Sequence, residues 1–165
     1  MFLSKKKINV NNLAALLYVS TIDANQLNKL FEKIDNIKSP DRSEVSRELI
    51  LLRLITVCYL LCSNKIFKSN PEIVTSLHLE YLEHFEADEF QYEGKVPFVD
   101  LLERRMKIYR PLLDNDCTKC AAEIAQIFAD NCDVKDSDIL LDAVRNYYLD
   151  SLFYFSGLLS HYKLI

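Results

Sequence analysis

The sequence predicts an all-α fold: a single-domain bundle of about five to seven helices, mostly antiparallel neighbours, closed by a long C-terminal helix. Three observations carry that reading. Glycine and proline are scarce, with 2 Gly and 4 Pro in 165 residues, against average usages of about 7% and 5%, and hairpins and tight strand turns draw on those residues. Apolar residues recur at helical spacing, as in Leu27, Leu30, Phe31, Ile34 and Ile37. Half of the residues are apolar, which at this length supports a core burying about 70% of the unfolded surface. No internal repeat, low-complexity tract or linker composition divides residues 1–165 into further domains.

The elements follow in order. Asn12 can cap a short helix running to about Val19, and Asp23 followed by Gln26 resembles a capping box opening a second helix. Ser39-Pro40 supplies a cap and then proline at the first helical position, where its missing N–H costs nothing. The helix that follows contains the most apolar segment of the chain, Leu49 to Cys62, with Arg53 its only charge. At about 14 residues the segment is too short for a bilayer span, which needs about 20, so it reads as a buried central strut. Asn70-Pro71 repeats the cap-and-proline arrangement and starts a helix to about Phe85. Ala87 to Val96, with Gly94 and several acids, reads as a loop. Pro97 opens the next helix, which is expected to stop near Arg110, because Pro111 disfavours α geometry in the residue before it. A helix from about Cys117 to Asn131 precedes the last one.

That last stretch, from about Ser137 to Ile165, has more apolar coverage than one buried face requires. Leu140, Val144, Tyr147, Tyr148, Leu152, Phe155, Leu158, Leu159 and Tyr162 form one stripe at about 100° per residue. Behind it lie Leu149, Phe153 and Leu164, interleaved with Ser156, Gly157 and Ser160. The first stripe suits the chain's own core. The second combines small residues that admit a close neighbour with bulky apolar ones that gain from burial, and it is the candidate interface. Asp150, His161, Lys163 and the serines Ser151, Ser156 and Ser160 exclude a bilayer span here.

A formal charge of −4 and a pI near 5.4 disfavour broad binding to nucleic acid or anionic membrane, which rests on a summed positive field. The 5 cysteines are odd in number and sit mostly in helical segments, so a disulfide framework is not expected and the reducing cytoplasm is. Lys5, Lys6 and Lys7 precede an apolar run from Leu13 to Val19, yet Asn9, Asn11 and Asn12 interrupt the pattern a secretory leader needs.

Four features bear on chemistry. Cys117-Thr-Lys-Cys120 places a CxxC at a helix start, where the dipole favours thiolate. Over these four residues the segment resembles the all-helical thiol oxidoreductases of the alkylhydroperoxidase D-like type, which implies redox work by Cys117 and Cys120. It departs from them in lacking a nearby histidine and the preceding Glu that move protons. Cys58 and Cys62 are spaced by four in the most apolar helix, unlike the tight ligand pairs of structural zinc sites. Around His78, Glu80 and His84 share a helix face, but Tyr81 stands where a di-iron bundle requires Glu, so both histidines read as partly buried and satisfied. Arg105 falls amid Phe98, Leu101, Ile108 and Tyr109. A buried guanidinium needs a carboxylate, and the acidic run Glu80, Glu83, Glu86, Asp88, Glu89 and Glu93 is the expected supplier of an internal ion pair.

Leu13 to Thr21 followed by the Asp23 helix resembles a helix-turn-helix over about 25 residues, with Asn25, Gln26, Asn28 and Lys29 able to project outward. Tyr18 departs from the glycine of the tight turn, and Lys29 and Lys33 are offset by Asp23, Glu32 and Asp35. No phosphate-cradling loop, catalytic triad or metal motif specifies a reaction, and none calls for a cofactor. The expected function is therefore non-enzymatic protein–protein association, as a homo-oligomer or with another protein, without membrane or nucleic acid. Thiol redox at Cys117/Cys120 is the alternative, and helix-turn-helix binding of nucleic acid the weaker one.

Overall fold

The computed structural model describes residues 5–34, 42–63, 71–87, 98–133 and 138–165. Among them are seven helices and two short strands: β1 (Lys6–Ile8), α1 (Val10–Thr21), α2 (Ala24–Ile34), α3 (Arg42–Cys62), α4 (Pro71–Ala87), α5 (Phe98–Asp116), α6 (Ala121–Asn131), α7 (Asp138–His161) and β2 (Tyr162–Leu164). The all-α reading holds. The Ser39-Pro40 cap, Asn70, Pro97 and the expected loop beyond Ala87 lie outside the described residues.

The strut is α3. Every residue from Leu51 to Leu61 is buried, because the helix meets α7 on one side, α5 on another and α1 and α4 on the rest. A helix surrounded in this way has no solvated face, which is why its apolar run shows little amphipathic period. The largest remaining interfaces join α1 to α4, α6 to α7 and α2 to α7. Only α6 and α7 among these are consecutive, so most of the bundle closes through contacts distant in sequence.

Polar groups inside the core are tied together rather than excluded. Thr21 Oγ1 donates to the Leu17 carbonyl at 2.8 Å, which commits its proton and leaves Tyr81 O–H to donate to Thr21 Oγ1, also at 2.8 Å. Arg53, fully buried, reaches the Thr21 carbonyl at 3.4 Å. Its guanidinium lies 5.2 Å from the Phe155 ring centroid and 5.5 Å from that of Tyr147, within cation–π range. This cluster joins α1, α3, α4 and α7 at one point.

Four local expectations are corrected. The cap of α1 is Asn9, whose side chain accepts from the Asn12 N–H at 2.8 Å, so Asn12 is the donor of that bond and the helix starts three residues earlier. At the other end of the chain the helix stops at His161, and Tyr162–Leu164 pairs in parallel with Lys6–Ile8. The N–H of Ile165 continues the ladder to the Ile8 carbonyl at 3.1 Å. Three-residue strands carry too little alternation to be read as such. Before α6, residues 117–120 form a turn, so that helix begins at Ala121. The Asp116 carboxylate holds the turn by accepting from the Thr118 hydroxyl at 2.8 Å and from the N–H groups of Thr118 and Lys119 at 3.1 and 3.2 Å, and these bonds, the hydroxyl's above all, hold it well below the usual carboxylate range.

Fourth, α5 does not stop at Arg110 but runs through Pro111 to Asp116. Continuing the helix buries Leu113 and packs Leu112 on the core, which offsets the interior proline. Proline has no N–H, so the Lys107 carbonyl loses its α-helical donor. Pro111 is exposed, and Pro111→Ala is expected to raise stability by about 1–3 kcal/mol. Urea unfolding checks this; an unchanged or lower midpoint would show that proline is well accommodated.

Candidate functional site

Two surfaces stand out from the described residues. The first is the outer face of α7. Phe153 is 62% exposed and Tyr154 43%, whereas Phe155, their neighbour, is fully buried. Tyr154 is anchored by its hydroxyl, 3.2 Å from Ser20 Oγ on α1. Between α2 and α7 opens a hollow of about 380 Å³ lined in part by Lys29, Leu30, Tyr147, Asp150, Phe153 and Tyr154. The Tyr147 hydroxyl is buried, and burial pushes its pKa up to about 12 against the opposing pull of Arg53.

The six candidate interface residues do not all share this face. Phe153 projects, Gly157 is exposed with nothing within 4 Å of where a Cβ would stand, and Ser160 is exposed with its hydroxyl bonded to the Gly157 carbonyl at 2.8 Å. Ser156 is half-buried. Leu149 is partly buried against the core. Leu164 is a correction: it belongs to β2 and is buried in the core, because the chain leaves the helical path at Tyr162 and the angular position assigned to it no longer applies.

The second surface is a groove floored by α3 and walled by α4 and α5. Both walls lean on α3, and they meet at one end, where Phe85 stacks on Phe98 at 5.9 Å. Away from that contact they part, leaving a cavity of about 610 Å³. Leu82, Leu102 and Met106 line it, with Cys58 and His78 on its inner side and Arg110 and Asp114 at its mouth. A smaller hollow next to it reaches Tyr59 and Cys62.

His78 lies between two thiols, with Nε2 3.2 Å from Cys58 Sγ and Nδ1 3.9 Å from Cys62 Sγ. A neutral imidazole has one N–H and one lone pair, so it can donate to one sulfur and accept from the other. Burial lowers the His78 pKa and raises that of Cys58, and partial burial raises Cys62. All three groups are thereby held uncharged. Because the thiols address different ring nitrogens, one ion cannot take both sulfurs and the imidazole together. Among the described residues no group of three or more His, Cys, Asp or Glu is arranged to hold a metal. His84, on the other side of α4, stacks on Tyr18 at 5.2 Å.

The sequence reading passed over this trio. Its signal was the four-residue spacing of Cys58 and Cys62, which aligns them on one helix face, but the histidine that faces them comes from another helix. A pH dependence follows. His78 in the folded state binds its proton less tightly than at its ordinary pKa of 6.5. Its contribution is therefore complete above that value and is lost as pH falls through it toward the lowered one. Thermal midpoints taken from about pH 8 to pH 5 are expected to decline in the acid half of the range, and His78→Gln to flatten the decline; equal slopes in both proteins would refute this.

All five cysteines are free thiols. Cys120 is buried at the start of α6, and burial raises its pKa despite the opposing effect of the neighbouring Tyr148 hydroxyl. That is opposite to the thiolate character a redox pair requires. The Tyr148 hydroxyl donates to the Cys117 carbonyl at 2.6 Å, so this turn is pinned to α7. Asn25, Asn28 and Lys29 of α2 are exposed, yet α1 docks chiefly on α4 and α2 on α7, unlike the mutually packed pair of a helix-turn-helix.

The internal ion pair predicted for Arg105 exists with a different partner. Its Nε donates to the two carboxylate oxygens of Glu48 at 3.0 and 3.2 Å, and Nη2 also bonds Oε1. Glu48, on α3, is 1% exposed and Arg105 14%. Among the described contacts the carboxylate is that of Glu48 on α3 rather than one from the acidic run, of which Asp88, Glu89 and Glu93 lie outside the described residues. Helical periodicity placed Arg105 inward but could not say which element it would face.

No protein-family model, curated protein or solved structure matches this chain.

Proposed function

We propose that this chain is a non-enzymatic association module that pairs with a second copy of itself through the α2/α7 face. The observation that carries the reading is the juxtaposition of Phe153, 62% exposed, with the hollow of about 380 Å³ beside it. A two-fold interface uses the same patch on both partners, so a protrusion and a recess on one face are what self-complementarity needs. Lys29 and Asp150 border the same hollow with opposite charges, and a two-fold axis brings each toward the other's counterpart. Exposed Gly157 permits close approach of the facing backbone. No helix among the described residues is long and apolar enough to cross a membrane, and the proposal places the apolar patch against protein.

Sedimentation velocity tests it. Wild-type protein is expected to dimerise in the micromolar range, and Phe153→Glu to raise the dissociation constant at least about 30-fold, as for a central aromatic anchor worth about 2 kcal/mol or more. A wild-type chain that stays monomeric up to about millimolar concentration, where association is worth only 4 kcal/mol, overturns the proposal.

A further inference from the structure

We infer that the groove between α4 and α5 is a binding site for a small uncharged amphiphile, an apolar molecule carrying one hydroxyl donor. Its size suits this class, since ligand pockets run to about 300–1,000 Å³ and the cavity measures about 610 Å³. Leu82, Leu102 and Met106 supply an apolar lining, and methionine adapts to ligands of differing shape. The site arises because α4 and α5 touch at Phe85 and Phe98 and then diverge over α3.

Three features select an uncharged ligand. The inner polar groups, Cys58 and His78, are both held neutral by burial, so a buried ionic group finds no counter-ion there. At the mouth Arg110 is already paired with Asp114 at 3.5 Å. The other two charges on the cavity wall, Glu103 and Lys107, sum to zero.

The hydroxyl is selected by the proline. Pro111 and Lys107 both line the cavity, one turn apart on the same face of α5. On that face the Lys107 carbonyl has no α-helical donor, because residue 111 lacks an N–H. A ligand O–H can satisfy this acceptor while the apolar body fills the space between Leu82, Leu102 and Met106.

The test uses Nile red, a neutral dye without an N–H or O–H donor, and three ten-carbon competitors: 1-decanol, decanoate and decylammonium. Nile red fluorescence is expected to saturate at one site and to be lost in the cavity-filling variants Leu82→Trp and Met106→Trp while Phe153→Glu leaves it unchanged. Decanol should displace the dye at concentrations at least about tenfold lower than either ion, since a factor of ten needs only 1.4 kcal/mol of desolvation difference. Pro111→Ala, which supplies the missing N–H, should weaken decanol about fivefold or more and leave Nile red unaffected, the loss of roughly one neutral hydrogen bond. Should either tryptophan variant fail to fold, the wild-type protein still decides the matter. It has 2 methionines, so the Met106 methyl resonance is readily followed by NMR and must shift on adding decanol. An unshifted Met106 methyl, dye binding that survives in folded filling variants, or an ion that competes as well as decanol each overturns the inference. Because none of these readouts depends on oligomeric state, their failure and that of the self-association reading are separable.

Discussion

Arg105→Ala is expected to lower the unfolding free energy by about 3–5 kcal/mol, because it leaves the Glu48 carboxylate buried and without its partner. Glu48 is 1% exposed and takes three contacts from the guanidinium of Arg105. The loss is a large part of the 5–15 kcal/mol that holds a typical domain together. It arises from the stranded charge rather than from the pair's own strength, so removing both members tells the two apart. Glu48→Leu combined with Arg105→Met is expected to recover most of the loss, as replacement of buried ion pairs by packed apolar residues commonly does. Urea unfolding of the two variants checks this. If the double variant is as unstable as Arg105→Ala, the pair itself contributes the stability and the desolvation account fails.

Two aromatic residues on α7 provide the second test, since they are two positions apart and face opposite ways. Phe155 is fully buried and lies 5.2 Å from the Arg53 guanidinium. Phe155→Ala is expected to cost about 3–5 kcal/mol through lost burial and the cavity left behind, with the loss of the cation–π contact placing it toward the upper end. Phe153, exposed on the other face, is expected to alter monomer stability by no more than about 0.5 kcal/mol when replaced by alanine. Thermal or urea unfolding at concentrations below the proposed dimerisation range separates the two. Similar losses for both would mean that the exposed face of α7 is structural, and would remove the basis for self-association.

The buried face of α7 was legible because a helix sorts its side chains by angle. Leu140, Val144, Tyr147, Tyr148, Leu152, Phe155 and Leu159 recur at helical spacing and are all buried. Composition alone identified α3 as the strut, since a run such as Leu49 to Cys62 cannot be solvated on any face. Leu164 misled for the same reason that the others succeeded. Seven positions after Gly157 it continues the helical angle, but a strand pairing with Lys6–Ile8 ends the helix first. Such pairing is decided by backbone hydrogen bonds between distant segments and leaves no mark over three residues. Pro111 misled because the local cost of proline in a helix was weighed without the burial of Leu113 beyond it.

The candidate sites show the same division. Exposure of Phe153 could be anticipated from one helix, whereas the hollow beside it needs Lys29 and Leu30 from α2. The meeting of His78 with Cys58 and Cys62, the pairing of Arg105 with Glu48 and the groove between α4 and α5 each join separate helices. By itself the sequence determined the helical class, the buried strut and the inward stripe of the last helix, because periodicity and solvation act within one element. Which helices meet, which carboxylate neutralises which cation, and where two walls part to leave a cavity were decided only by the tertiary structure, because those outcomes depend on packing between elements that no local period encodes.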